Sequence, residues 1–183
     1  HDHMSERVDD AGKLHTVYHG LDTVFFHPVA REHDGPARIL AVGRHVEKKG
    51  FDVLLAALAE LRRRGVDFQF RLIGEDGPAT PTLARLLAGH DLGGCCTIVQ
   101  PEPREQLRAS YHAADIFVLP CRIDDSGDRD GIPNVLAEAM ATGLAVLSTD
   151  VSGIPEIVDD GVNGLLVAPD NERELVDALE KLC

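Results

Sequence analysis

From Arg38 onward, short apolar runs alternate with stretches whose apolar residues recur at helical spacing. Arg38–Val42 is an aliphatic run closed by Gly43, and Phe51–Arg64 places Val53, Leu54, Ala57, Leu58 and Leu61 on one helix face. Phe68–Ile73 predicts a second strand. Leu83–Leu87 predicts a helix ending at Gly89, and Thr97–Val99 a third strand. Then follow a helix over Glu105–Ala114, a strand over Ile116–Leu119, a helix over Asn134–Ala141 and a strand over Ala145–Ser148. Ile154–Val158 predicts a short helix with Ser152 as its N-cap, Gly164–Val167 a last strand, and Asn171–Leu182 a closing helix. Alternating strands and helices predict an α/β, doubly wound, Rossmann-like parallel sheet covered on both faces. The strands read as apolar throughout, as burial on both faces requires. Ligands of such folds bind beyond the C-terminal strand ends, so the residues after each strand are where chemistry is expected.

Composition narrows the classes. The chain has 183 residues, of which 44% are apolar and 27% charged. That is enough for one packed domain, and it excludes wholesale disorder. No apolar run approaches the roughly 18 residues of a membrane helix. The net charge of −13 disfavours a general nucleic-acid binder, so an anionic ligand needs a local island of cations and N–H donors. Cys95, Cys96, Cys121 and Cys183 form no C-x-x-C pair, which predicts reduced thiols, a cytoplasmic setting and no zinc ribbon. The histidines, among them His15, His19, His27 and His33, form no metal-ligand pattern. Residues 1–4 read as a tag remnant, 5–35 as a leading segment, and 36–183 as the domain proper.

Three loops follow strands and carry polar chemistry. Gly43-Arg44-His45-Val46-Glu47-Lys48-Lys49-Gly50 sets cations in a loop before a helix, suited either to phosphate or to pairing with Glu47. In Asp130-Gly131-Ile132-Pro133-Asn134-Val135-Leu136-Ala137-Glu138, a carboxylate precedes a glycine turn and a helix start. Pro133 fits the first helical position, freeing the Asn134 and Val135 N–H groups for an anion. Asp130 and Glu138 are acceptors for a polyol, or else a helix cap and a surface acid. Thr149–Glu156 follows the fifth strand and reads mainly as structural.

Taken together, HGLDTVFFHP (His19–Pro28), ILAVGRHVEKKG (Ile39–Gly50), LIGEDGP (Leu72–Pro78), DIFVLPC (Asp115–Cys121), DGIPNVLAEAMATGLAVLSTDVSGIPEIV (Asp130–Val158) and NGLLVAPDN (Asn163–Asn171) resemble the C-terminal, donor-binding domain of retaining family-four glycosyltransferases of the two-domain GT-B fold. The resemblance implies a hexosyltransferase that moves a sugar from a nucleoside diphosphate sugar to an acceptor hydroxyl. Arg44 and Lys49 are implied to grip the diphosphate, Asp130 to face the donor sugar, and Glu138 to bind the ribose. Gly43, Gly131, Ile132, Asn134 and Val135 are implied to bring backbone to the ligand. It further implies no metal and no cofactor. The acceptor would bind an N-terminal half lying outside this chain, and without that half the domain would be inactive. The closing helices appear cut at Cys183, and the whole enzyme is expected in the cytoplasm or peripherally at the inner membrane face. Departures are Asp130 in place of the usual glutamate, Gly131-Ile132-Pro133 in place of Gly-Phe-Gly, and Gln100-Pro101-Glu102-Pro103 near the nucleobase position. Alternatives are a non-catalytic nucleotide- or sugar-binding module on the same fold, or a GT-B epimerase or phosphorylase relative. The cofactor-dependent phosphorylase is disfavoured, since no lysine lies in Ser148–Pro155.

Overall fold

The computed structural model describes residues 17–31 and 35–183; the tag-like stretch 1–4, His15 and His33 lie outside them. Six strands form one sheet: β1 (Ala37–Val42), β2 (Phe68–Ile73), β3 (Cys96–Val99), β4 (Ile116–Leu119), β5 (Ala145–Thr149) and β6 (Leu165–Val167). Their order is β3-β2-β1-β4-β5-β6, with every neighbouring pair parallel. The helices are α1 (Phe51–Arg63), α2 (Thr80–Gly89), α3 (Arg104–Ala113), α4 (Asn134–Ala141) and α5 (Glu172–Leu182). The strand order reverses between β1 and β4, which creates the crevice where doubly wound sheets take ligands.

Burial explains why these residues take these elements. β1 is aliphatic and almost wholly buried, and all four residues of β4 are buried. On α1 the stripe Leu54, Leu55, Leu58 and Leu61 is at most 1% exposed. Each such side chain contributes about 1.5–3 kcal/mol relative to an exposed one. The helix packs against α2 and α5, while α3 lies on β1 and α4 on β4 and β5. Asn171, expected as the first residue of α5, is its N-cap instead, its side chain accepting from the Glu174 N–H at 3.2 Å.

Some expectations fail for physical reasons. β2 alternates rather than being buried throughout: Gln69 and Arg71 face solvent while Phe68 and Phe70 are 2% exposed. Gln69 and Arg71 line an open cleft of about 570 Å³ with Arg38, Thr97 and, from α3, Ser110. The helix expected from Leu83 begins three residues earlier, at Thr80. Ser152 does not cap the turn after β5. It adopts φ +55°, and a single 3₁₀ turn (Ile154–Glu156) replaces the expected helix. Pro133 precedes α4 in extended conformation, one residue earlier than expected.

Of the leading segment, residues 17–31 run across α3 and α4. Phe26 is 3% exposed and packs edge-on to Tyr111, ring centroids 5.9 Å apart. The Arg31 guanidinium donates to the carbonyls of Thr142 at 2.8 Å and Gly143 at 3.2 Å, satisfying the end of α4. All four cysteines are free thiols.

Candidate functional site

The site forms where the loops after β1 and β4 meet. Gly50 allows that meeting. It sits at φ +65°, and a Cβ there would stand 2.0 Å from the Pro120 carbonyl oxygen. Only glycine fits that approach. The Arg122 N–H then donates to the Lys48 carbonyl at 2.9 Å, tying one loop to the other. Below, the buried Ser148 and Thr149 hydroxyls donate to the carbonyls of Leu119 at 2.6 Å and Cys121 at 2.5 Å, where β4 leaves its ladder.

This scaffold brings Lys49 and Asp130 together, with Nζ 2.8 Å from Oδ2. Lys48 lies 3.6 Å from the other carboxylate oxygen and 2.9 Å from Asp128. The Asp124–Asp130 loop is itself knit around Asp124, whose Oδ1 accepts from the N–H groups of Ser126 and Asp128. Lysine side chains 13–16% exposed thus meet two acids at the crevice. The ion pair with Asp128, above all, raises the Lys48 pKa, so the ammonium stays charged. Cys121 donates its thiol to Asp130 at 3.6 Å, and burial pushes its pKa up to about 12, leaving it a protonated thiol. Gly43 lies under the Lys49 stem, where a Cβ would be 3.4 Å from Cε.

The other expected residues take distinct places. Arg44 is exposed in its loop, apart from the Lys49–Asp130 pair. Glu47 lies 3.8 Å from Arg122, not on a lysine. Gly131 is open, with nothing within 4 Å of where a Cβ would stand. Ile132 packs on Gly153, so the loop after β5 buttresses the Gly131-Ile132 turn from behind. Asn134 opens α4, and no side chain caps the helix, Asp130 included. Among the described residues the N–H groups of Asn134 and Val135 have no acceptor, leaving the positive end of the helix dipole uncapped at the crevice.

Glu138 lies one turn along α4 and is half-buried. With Asn134, Arg104, His19 and Asp22 it lines a cavity of about 250 Å³. The buried Tyr111 hydroxyl donates to its Oε2 at 2.9 Å. Burial raises the Glu138 pKa, and the Tyr111 hydrogen bond and then the Arg104 charge oppose that rise. Arg104 is held by Asp22 at 3.2 Å and stacks on the Phe25 ring at 3.9 Å. Lys48, Tyr111 and Arg104 are functional candidates that the reading of the sequence did not single out. For Lys48 the signal was its place beside Lys49; for the other two, no motif pointed to them.

The sheet and its crevice define a Rossmann-like half of the GT-B architecture. The chain belongs to the family described as glycosyl transferases group 1, whose profile matches residues 36–183. It is 40% identical over 144 residues to the amylovoran biosynthesis glycosyltransferase AmsK of Erwinia amylovora, covering 79% of this chain and 35% of AmsK. It is 36% identical over 130 residues to the GDP-mannose-dependent alpha-(1-6)-phosphatidylinositol monomannoside mannosyltransferase of Mycolicibacterium smegmatis, covering 70% of this chain and 34% of that protein. Its fold matches the crystal structure of the C-terminal domain of the group 1 family protein LpcC from Francisella tularensis. The TM-score there is 0.74 at 25% identity, over 89% of this chain and 87% of that one. The chain therefore spans little more than a third of the curated relatives it matches. Among the described residues no helix is long and apolar enough to cross a membrane.

Proposed function

We propose that this chain is the donor-binding half of a retaining glycosyltransferase that takes a nucleoside diphosphate sugar. The observation that carries the reading is the convergence of Lys49, Asp130 and the uncapped start of α4 at the β1/β4 crevice. A diphosphate needs cations and N–H donors, and a sugar needs acceptors; the crevice offers both within one loop pair. The mannosyltransferase relative of Mycolicibacterium smegmatis is GDP-mannose-dependent, which supports a donor of this class.

In this reading Lys49 and Arg44 hold the diphosphate, Asp130 accepts from hydroxyls of the donor sugar, and Glu138 accepts from the ribose. Gly43 and the Gly131-Ile132 turn let the ligand approach the backbone. The acceptor hydroxyl attacks the anomeric carbon on the face the diphosphate leaves. The bond from that carbon to the phosphate oxygen breaks, and the acceptor's proton passes to the departing phosphate. Negative charge grows on that phosphate, and fixed cations and helix N–H groups stabilise it more than the ground state. No metal is required, since the cations and helix end supply the counter-charge. The acceptor and the rest of the cleft come from a preceding domain, so the chain alone binds nucleotide and barely catalyses.

Calorimetric titration with UDP, GDP and ADP tests this. At least one should bind with a Kd below about 1 mM, or −4.1 kcal/mol. Absence of binding by all three at that concentration overturns the reading.

A further inference from the structure

Glu138 is held by a residue from another element. Tyr111 lies on α3 and is 0% exposed. Its ring is packed against Phe26 and Phe117, with centroids 5.9 Å away on each side. A ring so confined has one place for its hydroxyl. That hydroxyl donates to Glu138 Oε2 at 2.9 Å, and the Val135 carbonyl lies 3.3 Å from it on the same helix turn. Among the described residues Glu138 Oε1 has no hydrogen-bond partner, and it is not sealed from solvent. The carboxylate is therefore divided, one oxygen committed inward and one left for a ligand in the adjoining cavity.

We propose that Tyr111 is a positioning residue for nucleotide binding, its hydroxyl fixing one oxygen of Glu138 so that the other meets the ribose diol. The inference rests on the ribose reading of Glu138. A ribose diol presents two adjacent O–H donors, which an ionised carboxylate accepts and a neutral acid meets less well. Burial works against ionisation of Glu138, and the Tyr111 hydrogen bond is the largest opposing influence. Among the described residues, the other charged or titratable groups around the cavity are Arg104 from α3 and His19 and Asp22 from the leading segment; α4 adds none besides Glu138. Tyr111→Phe keeps the ring and leaves those three groups in place, so the difference between the two proteins isolates the hydroxyl.

The test pairs two measurements on the 183-residue chain. In the nucleotide-free protein, a carboxyl carbon NMR titration should place the Glu138 midpoint at higher pH in Tyr111→Phe than in the natural chain. Calorimetry from about pH 5 to about pH 8 should show nucleoside diphosphate binding weakened about 2–10-fold in the variant. Its acid limb should also move to higher pH, with a smaller preference for the ribo- over the 2′-deoxynucleotide. An unchanged Glu138 midpoint, or an unchanged acid limb and ribose preference, overturns the positioning role. A merely structural role would lower the unfolding temperature and move none of these readouts. If the natural chain itself binds ribo- and 2′-deoxynucleotides equally, the ribose reading of Glu138 fails and the inference falls with it.

Discussion

The Lys49 ammonium sits 2.8 Å from the Asp130 carboxylate, while Lys48 approaches that carboxylate's other oxygen at 3.6 Å. The cation assigned to the diphosphate is thus already engaged in the free protein. A ligand phosphate has to share Lys49 with Asp130. Asp130→Asn removes a negative charge beside the phosphate position, where a charge pair at about 4 Å in water is worth about 1 kcal/mol. We expect this variant to bind a bare nucleoside diphosphate about 5-fold more tightly, and to lose most of the extra affinity that the attached sugar gives. Calorimetry with a nucleotide and its sugar conjugate checks this. Equal weakening of both ligands would contradict it.

Lys49→Ala acts in the opposite direction. A hydrogen bond to a charged group contributes about 1.5–3 kcal/mol. Binding of the nucleoside diphosphate should weaken by one to two orders of magnitude, and its salt dependence should flatten as a charge contact is lost. Retention of affinity at low salt would remove Lys49 from the site.

Two glycines beside the crevice should behave differently. Gly50→Ala forces a side chain into φ +65° and against the Pro120 carbonyl, 2.0 Å away. The backbone conformation alone costs about 1–2 kcal/mol, and the clash with backbone adds to it. Thermal unfolding should show a drop of several degrees. At Gly131 a Cβ meets nothing within 4 Å. Gly131→Ala should unfold like the natural chain and still bind the nucleotide sugar more weakly, because only the ligand approaches there. A stability loss at Gly131 comparable to that at Gly50 would contradict this division.

His45 gives a pH signature. Its ring is 1% exposed, with Nδ1 3.0 Å from the Thr80 hydroxyl and Nε2 buried without a partner among the described residues. Burial lowers its pKa, and Asp76, 3.6 Å away, only partly opposes that. The unfolded chain, with an ordinary histidine near pKa 6.5, therefore takes up the proton first. The stability from neutral His45 is complete above about pH 6.5 and is lost as pH falls through that value toward the folded-state pKa. His112 is shifted the same way, chiefly by burial. His45→Leu should consequently show a shallower loss of unfolding temperature on acidification than the natural chain. Parallel curves would show that His45 is readily protonated in the folded state.

Much of the fold could be read from local pattern. Ile116–Leu119 and the α1 stripe are apolar in the register that burial requires, and glycines punctuate the strand ends. The two loops that meet at the crevice were legible because each follows a buried strand. What escaped depends on packing between distant segments. Tyr111 and Glu138 are 27 residues apart and meet only because α3 and α4 pack side by side. Lys48 reaches Asp128 through the path of an acidic loop with no periodicity to reveal it. The exposure of Gln69 and Arg71 follows from the open cleft they line with β1, β3 and α3, which no single strand's composition discloses. Ser152 has the chemistry of a cap, yet a tight turn holds it in left-handed backbone, away from that role.

A nucleoside diphosphate should touch the chain at the loops after β1 and β4. Backbone amide NMR during titration with the tightest-binding nucleoside diphosphate locates that contact. The largest shifts should fall in residues 43–50 and 131–138, with smaller ones at His19–Asp22 and none in the cleft lined by Gln69, Arg71 and Thr97. Shifts confined to that cleft, or scattered without the two loops, would contradict the assignment of the β1/β4 crevice as the donor site.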